Sequence, residues 1–370
     1  MDMASIRLRL RSLREQRSLS QETVAKALGF KDRQTLSDLE LGDRRISPQE
    51  LIAASKFFGV RFDYFTDPFE LAGEGRFSWR QKNATEEALN NFEAKAGSWL
   101  AAYRHLSKLQ GKSVNSQMLR VALDEKSTFE DASLEGEAVG DALGLGDIPA
   151  LKLASVMEEK LDTLVLYVDT VEGVSGAACQ LRQLNTVLIN RNEPTSRQVF
   201  DLAHEFFHLL TWESMPPKRI ESDSESYRKE NRVEQLAENF ASGILMPERV
   251  LNKIIAHTPL PDEASIPEWL IIVADTLKVS PTALMWRLVN IKALPKATAG
   301  RIRDKSLFSA FSRKRGQRPP RFSKKFVGII GWGIESGHVS VRRTASLLAM
   351  SIDDLAALFE EHNLVAPFAL

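Results

Sequence analysis

The pentapeptide His204-Glu205-Phe206-Phe207-His208 constrains the fold of this chain more than any other stretch. Side chains four residues apart lie on one face of an α-helix, so both imidazoles can reach one metal ion if this segment is helical. Glu205 would then be free to act as a general base toward a water molecule. The alternative is an amphipathic core helix whose two histidines are satisfied by hydrogen bonds. Both interpretations predict a helix, and the first predicts a metal centre on it.

A tetrahedral catalytic zinc site needs a third protein ligand besides the two histidines. One common solution places a glycine and a histidine at positions 211 and 214, but Thr211 and Ser214 stand there, which excludes it. The other common solution is a glutamate on the next helix. Residues 233–241 predict such a helix, apolar on one face, with acidic side chains at Glu234 and Glu238. Spacing alone leaves three options open: Glu234 as ligand, Glu238 as ligand or as a partner of an imidazole, or an exposed carboxylate.

Composition restricts the partners of the chain. Lys and Arg together number 49 and so do Asp and Glu, so binding to nucleic acid requires a local basic patch. Cys179 is the only cysteine, which excludes an intramolecular disulfide and a cysteine-rich zinc site and fits a reducing cytosol. The N-terminus lacks the apolar core of a signal peptide, and no run of 18 apolar residues occurs. We therefore expect a cytoplasmic protein without a membrane partner.

Residues 5–66 predict a compact unit of short helices. Ser20 is the expected N-cap of one helix, which ends at Gly29, and a second helix follows from Asp32 to Gly42. Two short helices joined by a tight glycine turn describe a helix-turn-helix. We therefore predict a nucleic-acid-binding module at this end of the chain.

This unit resembles the XRE (Cro/repressor-type) DNA-binding domain. The resemblance rests on Leu19-Ser20-Gln21-Glu22, on residues 36–42 and on the closing Phe58-Gly59-Val60. It implies that the start of the second helix faces the major groove, where arginine suits guanine and glutamine suits adenine. The implied base contacts are Arg33, Gln34 and Thr35, and the phosphate contacts are Gln21, Lys31, Ser37, Arg44 and Arg45. Residues 1–66 hold twelve Lys and Arg against nine Asp and Glu, so a docking module without DNA affinity is the alternative.

The middle of the chain predicts helices and a small sheet. Residues 67–75 break the helical pattern, and a long amphipathic helix follows over about residues 85–109. The runs at 164–168 and 186–190 are rich in β-branched and apolar residues and predict two strands. Gly173 and Gly176 predict turns between them. A small sheet is therefore expected just before the helix that carries the two histidines.

Residues 137–290 resemble the ImmA/IrrE family of metallopeptidases. The resemblance rests on residues 188–190 and 197–200, on the stretch 203–210, and on the pattern from Glu234 through Met246-Pro247. It maps the third ligand of the family onto Glu234 and implies zinc held by His204, His208 and Glu234, with Glu205 as general base. Manganese and iron also suit two histidines and a carboxylate. The resemblance does not identify a residue that stabilises the oxyanion. Tyr227 is a candidate only because it is near the site in the sequence.

The predicted fold class is α+β, mainly α, with a helix-turn-helix bundle, a central zincin-like domain and a C-terminal helical region. The predicted borders are 1–66 for the DNA-binding domain, 67–136 for a helical linker region, 137–295 for the metallopeptidase domain and 296–370 for the rest. Residues 301–325 carry ten Lys and Arg against one Asp. This segment is interpreted as a solvated linker, with a nucleic-acid or acidic-protein contact as the alternative.

Both resemblances together predict a DNA-binding regulator with a zinc endopeptidase domain. The implied substrate is a repressor or another regulatory protein in a stress or mobile-element response. The alternatives are a transcription factor whose peptidase-like domain senses a metal or ligand, and an antitoxin-like binding module. The expected partners are a double-stranded DNA operator and a protein substrate, with homodimerisation left open.

Overall fold

The computed structural model describes residues 3–71, 75–112, 119, 121–181, 184–222, 231–302 and 318–369. Within these ranges the chain is mainly helical and contains one five-stranded mixed sheet. The predicted α+β class, mainly α, is confirmed. No helix of the described part is both long and apolar enough to cross a lipid bilayer.

Five helices form the N-terminal unit. They are α1 (Met3–Gln16), α2 (Gln21–Ala27), α3 (Arg33–Leu41), α4 (Pro48–Phe58) and α5 (Asp63–Thr66). Side-chain oxygens of Ser20 and Asp32 accept backbone N–H groups and cap α2 and α3, and Gly42 ends α3 at a φ of 100°. These helices enclose an apolar cluster of their own. The predicted helix-turn-helix is α2 and α3.

The sheet contains three strands beyond the two that were predicted. Its members are β1 (Gly75–Gln81), β2 (Leu164–Val168), β3 (Val174–Leu181), β4 (Asn185–Asn190) and β5 (Ile220–Ser222), in the order β2-β4-β3-β1-β5. Strand β3 is antiparallel to both neighbours, β1 and β4, whereas β2 with β4 and β1 with β5 are parallel. Strand β1 lies inside residues 67–136, so the prediction of a helical region is wrong for these seven residues.

Gly176 shows why β3 escapes a sequence-based prediction. Glycine favours turns, yet here it lies within β3, paired with Ile189 of β4. A Cβ at this position would lie 2.9 Å from the backbone oxygen of Leu188. The close approach of the neighbouring strand explains the glycine, and only the folded sheet reveals that approach.

Helices cover both faces of the sheet. On one face are α6 (Glu86–Leu109), α15 (Lys324–Glu335), α16 (Val341–Leu348) and α17 (Ile352–Glu361), which share an apolar core with Trp79, Leu166 and Cys179 of the sheet. On the other face, Val165, Val187 and Ile189 enter a second core. The helices of that side are α7 (Phe129–Leu143), α8 (Leu153–Lys160), α9 (Thr195–Leu210), α10 (Arg232–Leu245), α11 (Glu248–His257), α12 (Ile266–Leu277), α13 (Pro281–Asn290) and α14 (Lys296–Ile302).

Helices α7 and α10 cross at very short range. A Cβ on Gly243 of α10 would lie 2.1 Å from the backbone oxygen of Ser133, and a Cβ on Gly136 of α7 would lie 2.4 Å from the backbone oxygen of Phe240. Each glycine therefore lets the backbone of one helix rest against the other. This crossing fixes α10 relative to the core.

The basic segment predicted at 301–325 is only partly described, because residues 303–317 lie outside the described ranges. At its ends, Arg301 makes a two-pronged ion pair with Glu263, and Lys325 Nζ lies 2.6 Å from Asp162 Oδ1. These two basic residues are engaged within the chain. The interpretation of the segment as a solvated linker stays a prediction, with a nucleic-acid or acidic-protein contact as its alternative.

Candidate metal centre

Three side chains from two helices converge at one point of the structure. The Nε2 atoms of His204 and His208 are 3.1 Å apart, and each lies 3.3 Å from a carboxylate oxygen of Glu234. Within the described ranges this is the only group of three His, Cys, Asp or Glu side chains with donor atoms this close together. The structure therefore brings together the three residues predicted as ligands.

These separations suit a tetrahedral metal ion. Two donor atoms that each bind zinc at about 2.1 Å with tetrahedral angles lie about 3.4 Å from one another. The observed separations, between the two nitrogens and from each nitrogen to a different oxygen of Glu234, are close to that value. Two imidazole nitrogens and one carboxylate oxygen are also a ligand set that catalytic zinc uses. The residues present thus fit the ion that the sequence implies.

Helix α9 places the two histidines. It begins after Pro194 and has a strongly apolar face, on which Leu202, Phe206 and Leu209 are buried. His204 and His208 are each 1% exposed, so the metal-binding face of α9 is turned into the molecule rather than toward solvent. The prediction of a helix with both imidazoles on one face is confirmed.

Glu234 belongs to the first turn of α10. Asn231 caps this helix by accepting hydrogen bonds from the backbone N–H groups of Val233 and Glu234. The partial positive charge at a helix N-terminus favours an ionised carboxylate there. Glu238, the alternative ligand, lies one turn further on and is half-buried, outside the group of converging donors.

Burial and neighbouring charges set the protonation of the two imidazoles. Burial, assisted by the positive charge of Arg80, lowers the pKa of His204 to about 4. At His208 burial also disfavours the charged form, but the hydrogen bond to Glu234 and the negative charges of the neighbouring carboxylates together outweigh it and raise the pKa. Burial disfavours ionisation of Glu234 as well, yet the two histidines hold the pKa of this carboxyl below its usual range. The neutral His204 and the ionised Glu234 are the forms that bind metal.

Glu205 lies beside the ligands without belonging to them. Its side chain is 1% exposed, and its Cγ atom would be 3.8 Å from a Cβ on Gly176 of β3. Burial raises the pKa of Glu205 to about 8, against the opposing influence of His208 and Arg80. A carboxylate with a raised pKa in a buried site is suited to accept and release a proton near neutral pH.

A buried ion-pair cluster, missed by the sequence-based reasoning, lies next to the centre. Arg80 of β1 is 1% exposed, and its Nη1 atom lies 3.2 Å from Oδ1 of Asp201 on α9. Arg197 Nε donates to Oδ2 of the same carboxylate at 2.9 Å. The available signal was the alternation Arg76-Phe77-Ser78-Trp79-Arg80, which predicts a strand but not its position in the sheet.

The predicted base contacts lie at the start of α3. Arg33 and Gln34 are exposed and Thr35 is half-buried. Arg33 Nε donates to Gln21 Oε1 at 3.1 Å, and Gln34 Nε2 donates to Asp38 Oδ1 at 2.7 Å. These intrahelical and interhelical bonds hold the long side chains in defined orientations at the exposed end of the helix.

The predicted phosphate contacts surround that helix end. Lys31 and Arg45 are exposed, whereas Gln21, Ser37 and Arg44 are half-buried. Arg44 forms an ion pair with Glu50, and its guanidinium lies 5.1 Å from the ring centroid of Phe30. The structure therefore leaves Lys31 and Arg45 as the more accessible cations, and engages Arg44 within the domain.

Fold and site together define a metallopeptidase-like domain joined to a helix-turn-helix domain. Comparison with family models agrees: residues 10–65 match the helix-turn-helix family, and residues 158–288 match the peptidase M78 family, described as the IrrE N-terminal-like domain. The predicted fusion of an XRE-type regulator with an IrrE-like domain is thus confirmed. No curated protein and no solved structure gives a significant match to the chain. Strand β1 and helices α6 and α7 lie outside the second matched region.

Proposed function

We propose that this chain is a cytoplasmic DNA-binding transcriptional regulator whose IrrE-like domain is a zinc-dependent endopeptidase. The proposed substrate is a repressor or another regulatory protein in a stress or mobile-element response. One observation carries the proposal: the Nε2 atoms of His204 and His208 lie 3.1 Å apart and 3.3 Å each from a carboxylate oxygen of Glu234, and the side chain that follows the first histidine is a buried carboxylate. A site that only holds a metal has no need of that carboxylate.

The chemistry assigns a role to each side chain. His204, His208 and Glu234 hold the metal, and a zinc ion bound there supplies Lewis-acid polarisation and makes water more acidic. Glu205 accepts the proton of the attacking water molecule and passes it to the nitrogen of the departing amine. Arg80, through its positive charge, opposes the burial that disfavours an ionised Glu205. The described side chains thus support general-base hydrolysis of a peptide bond.

The helix-turn-helix domain supports DNA binding and suggests where proteolysis takes place. With both activities in one chain, binding to an operator would place the peptidase domain near a repressor on the same DNA or near the chain's own regulatory target. Operators of such domains are commonly palindromic, and we propose a homodimer on that basis.

One observation favours a second function, in which the domain senses a metal or ligand without proteolysis. His204, Glu205, His208 and Glu234 are each 1% exposed, so the centre as described is closed to a peptide. A sensor can work with a closed site, because a metal ion needs far less room than a polypeptide. An endopeptidase must open.

The two functions are separated by comparing the natural protein with Glu205→Gln. Zinc content is measured by elemental analysis, and cleavage is measured on candidate repressors by gel and mass spectrometry. For an endopeptidase, Glu205→Gln retains zinc but loses cleavage, because the amide cannot accept the proton. Zinc binding without cleavage by either protein supports the sensor. A natural protein that takes up no metal contradicts both the zinc endopeptidase and the metal sensor.

A further inference from the structure

Strand β1 carries a buried arginine, Arg80, that contacts α9, the helix with the two histidines of the metal centre. Arg80 pairs with Gly176 of β3 on one side and with Glu221 of β5 on the other, so its backbone is fixed within the sheet. Its guanidinium reaches the fully buried carboxylate of Asp201 on α9. This arginine lies outside residues 158–288, the region that matches the IrrE-like family.

Asp201 is on the same face of α9 as the metal-binding side chains. It precedes His204 by three residues and His208 by seven, which are the spacings of neighbours along one side of a helix. A rotation or shift of α9 that moved Asp201 would therefore move both imidazoles in the same direction. The ion pair between Arg80 and Asp201 opposes such a movement.

Among the described residues, the two imidazole rings lack the hydrogen bonds that usually orient a metal-binding histidine. A histidine that binds a metal normally donates its second ring N–H to a carboxylate, a backbone oxygen or water, which sets the orientation of the ring. In the described part of the chain, the Nδ1 atoms of His204 and His208 are buried without a hydrogen-bond partner. The position of the two Nε2 atoms must therefore depend on how α9 is held.

Stability alone does not account for the ion pair. Placing two charges in a protein interior costs several kcal/mol of desolvation per ion, and replacing such a pair by apolar side chains is often neutral or stabilising. A buried pair can instead define a unique arrangement of the elements that it joins. Here the joined elements are the strand that follows the DNA-binding domain and the helix that carries two metal ligands.

We propose that Arg80 is a positioning residue of the metal centre, which fixes α9 through Asp201 in the rotation that aligns His204 and His208 with Glu234. The inference rests on the proposed metal centre and adds a residue that contacts neither the metal nor a substrate. The positioning effect of Arg80 passes through Asp201, whereas its charge also acts directly on His204, whose pKa it lowers. The effects of changing the two residues must therefore overlap.

The test is a double-mutant cycle on the zinc dissociation constant of the full-length protein. The variants are Arg80→Met, Asp201→Asn and the double variant, with zinc affinity measured by competition against a chromophoric chelator. Each single change should weaken zinc binding by about 10- to 100-fold, the usual effect of losing a residue that supports a ligand. The double variant should bind zinc no more weakly than the weaker single variant.

Two further variants separate positioning from general destabilisation. Arg80→Lys keeps the charge and should recover part of the lost zinc affinity. Arg14→Met breaks a partly buried pair with Glu40 in the DNA-binding domain and should lower the melting temperature without affecting zinc. If Arg80→Met does not fold, Arg80→Gln takes its place in the cycle, because it also removes the charge that pairs with Asp201.

Three results would overturn the proposal. One is a folded Arg80→Met protein that binds zinc as tightly as the natural protein. The second is full additivity of the Arg80→Met and Asp201→Asn effects. The third is an equal loss of zinc affinity in Arg14→Met. A natural protein that binds no zinc refutes instead the metal centre on which the inference rests, so the two failures are distinguishable.

Discussion

Glu234 and Glu238 lie one turn apart on α10, yet only Glu234 approaches both imidazoles, at 3.3 Å from each. We expect Glu234→Gln to weaken zinc binding by about 100-fold or more, because losing a ligand should cost more than losing an outer-shell partner, which already costs about 10- to 100-fold. Glu238→Gln is the matched control and should bind zinc normally. Chelator competition measures the zinc affinity of both variants. An equal loss of zinc affinity in the two would indicate that Glu238 is also a ligand.

The two kinds of predicted DNA contact should respond differently to salt. Arg33→Ala should reduce discrimination between operator and unrelated DNA by about 1–3 kcal/mol, the value of a two-pronged contact to a base. Lys31→Ala should weaken binding to all sequences and reduce the slope of log affinity against log salt by about one. Fluorescence anisotropy over a salt series measures both. A Lys31→Ala protein with altered sequence preference and an unchanged slope would contradict the assignment.

At the scale of residues, the sequence is informative where the chemistry is local. The i, i+4 spacing of His204 and His208 is a property of one helix, so it can be recognised without knowing the fold. The choice between Glu234 and Glu238 needed either a family resemblance or the direction of α10. Arg80 could not be found at all, since its contact with Asp201 depends on strand pairing between distant segments.

At the scale of elements, the crossing of α7 and α10 connects packing to the metal centre. Gly243→Ala would place a methyl group against the backbone of Ser133 and force α10, with Glu234, away from α7. We expect a loss of about 1–3 kcal/mol in the free energy of unfolding, the usual cost of overpacking, together with weaker zinc binding. Urea unfolding and chelator competition measure the two effects.

Gly328→Ala provides the control for this prediction. Gly328 lies within α15, and a Cβ there would meet no atom within 4 Å. The substitution should therefore stabilise the protein by up to about 1 kcal/mol through helix propensity and leave zinc affinity unchanged. If Gly243→Ala behaves like Gly328→Ala, the helices are free to separate and the crossing does not position Glu234.

Strand β5 connects the two ligand-bearing helices and is fastened at the edge of the sheet. The backbone N–H of Trp79 donates to the carbonyl oxygen of Arg219, whose guanidinium pairs with Glu93 of α6 at 3.2 Å. Glu221 of β5 is buried and its charge raises the pKa of His208. The strand is a short edge element between the two ligand-bearing helices along the chain, and we expect it to move when a peptide enters.

If β5 limits access, Arg219→Ala should increase kcat/KM for a protein substrate by up to about fivefold, since an exposed ion pair contributes about 0.2–1 kcal/mol. Zinc affinity should not change. Arg301→Ala, which breaks another exposed pair, should leave kcat/KM unchanged. An unaltered rate in Arg219→Ala would assign the opening step to a different segment.

The elements themselves were predictable to different degrees. N-cap residues such as Ser20 and Asp32 predict the start of a helix from local sequence alone. Helices α2, α3 and α9 lie where they were predicted. Strand β1 was predicted to lie in a helical linker, although Phe77 and Trp79 alternate with polar residues. One short alternation does not show which strand it would pair with.

The predicted domain borders at 66, 136 and 295 stay predictions, although α7 at Phe129–Leu143 spans the second of them. Tyr227 lies outside the described residues.

At the scale of the whole molecule, the DNA-binding unit has its own apolar core, whereas the sheet depends on segments from both ends of the chain. A protein that begins at residue 67 should therefore keep its zinc affinity and lose DNA binding. A protein limited to residues 158–288 lacks β1, α6 and α7, and should not unfold cooperatively. Calorimetry and chelator competition compare the two. A stable, zinc-binding 158–288 fragment would show that β1 is dispensable.

The position of β1 in the chain also determines where the DNA-binding domain can be exchanged for another one. Because β1 follows the DNA-binding unit and lies within the sheet of the IrrE-like half, that half begins upstream of its matched region, at Gly75. A recombination event at residue 158, the start of the matched region, would leave the sheet without its Arg80 strand. An exchange between residues 67 and 74 would carry that strand along. Chimaeras that give this protein a new operator specificity should therefore be joined ahead of Gly75.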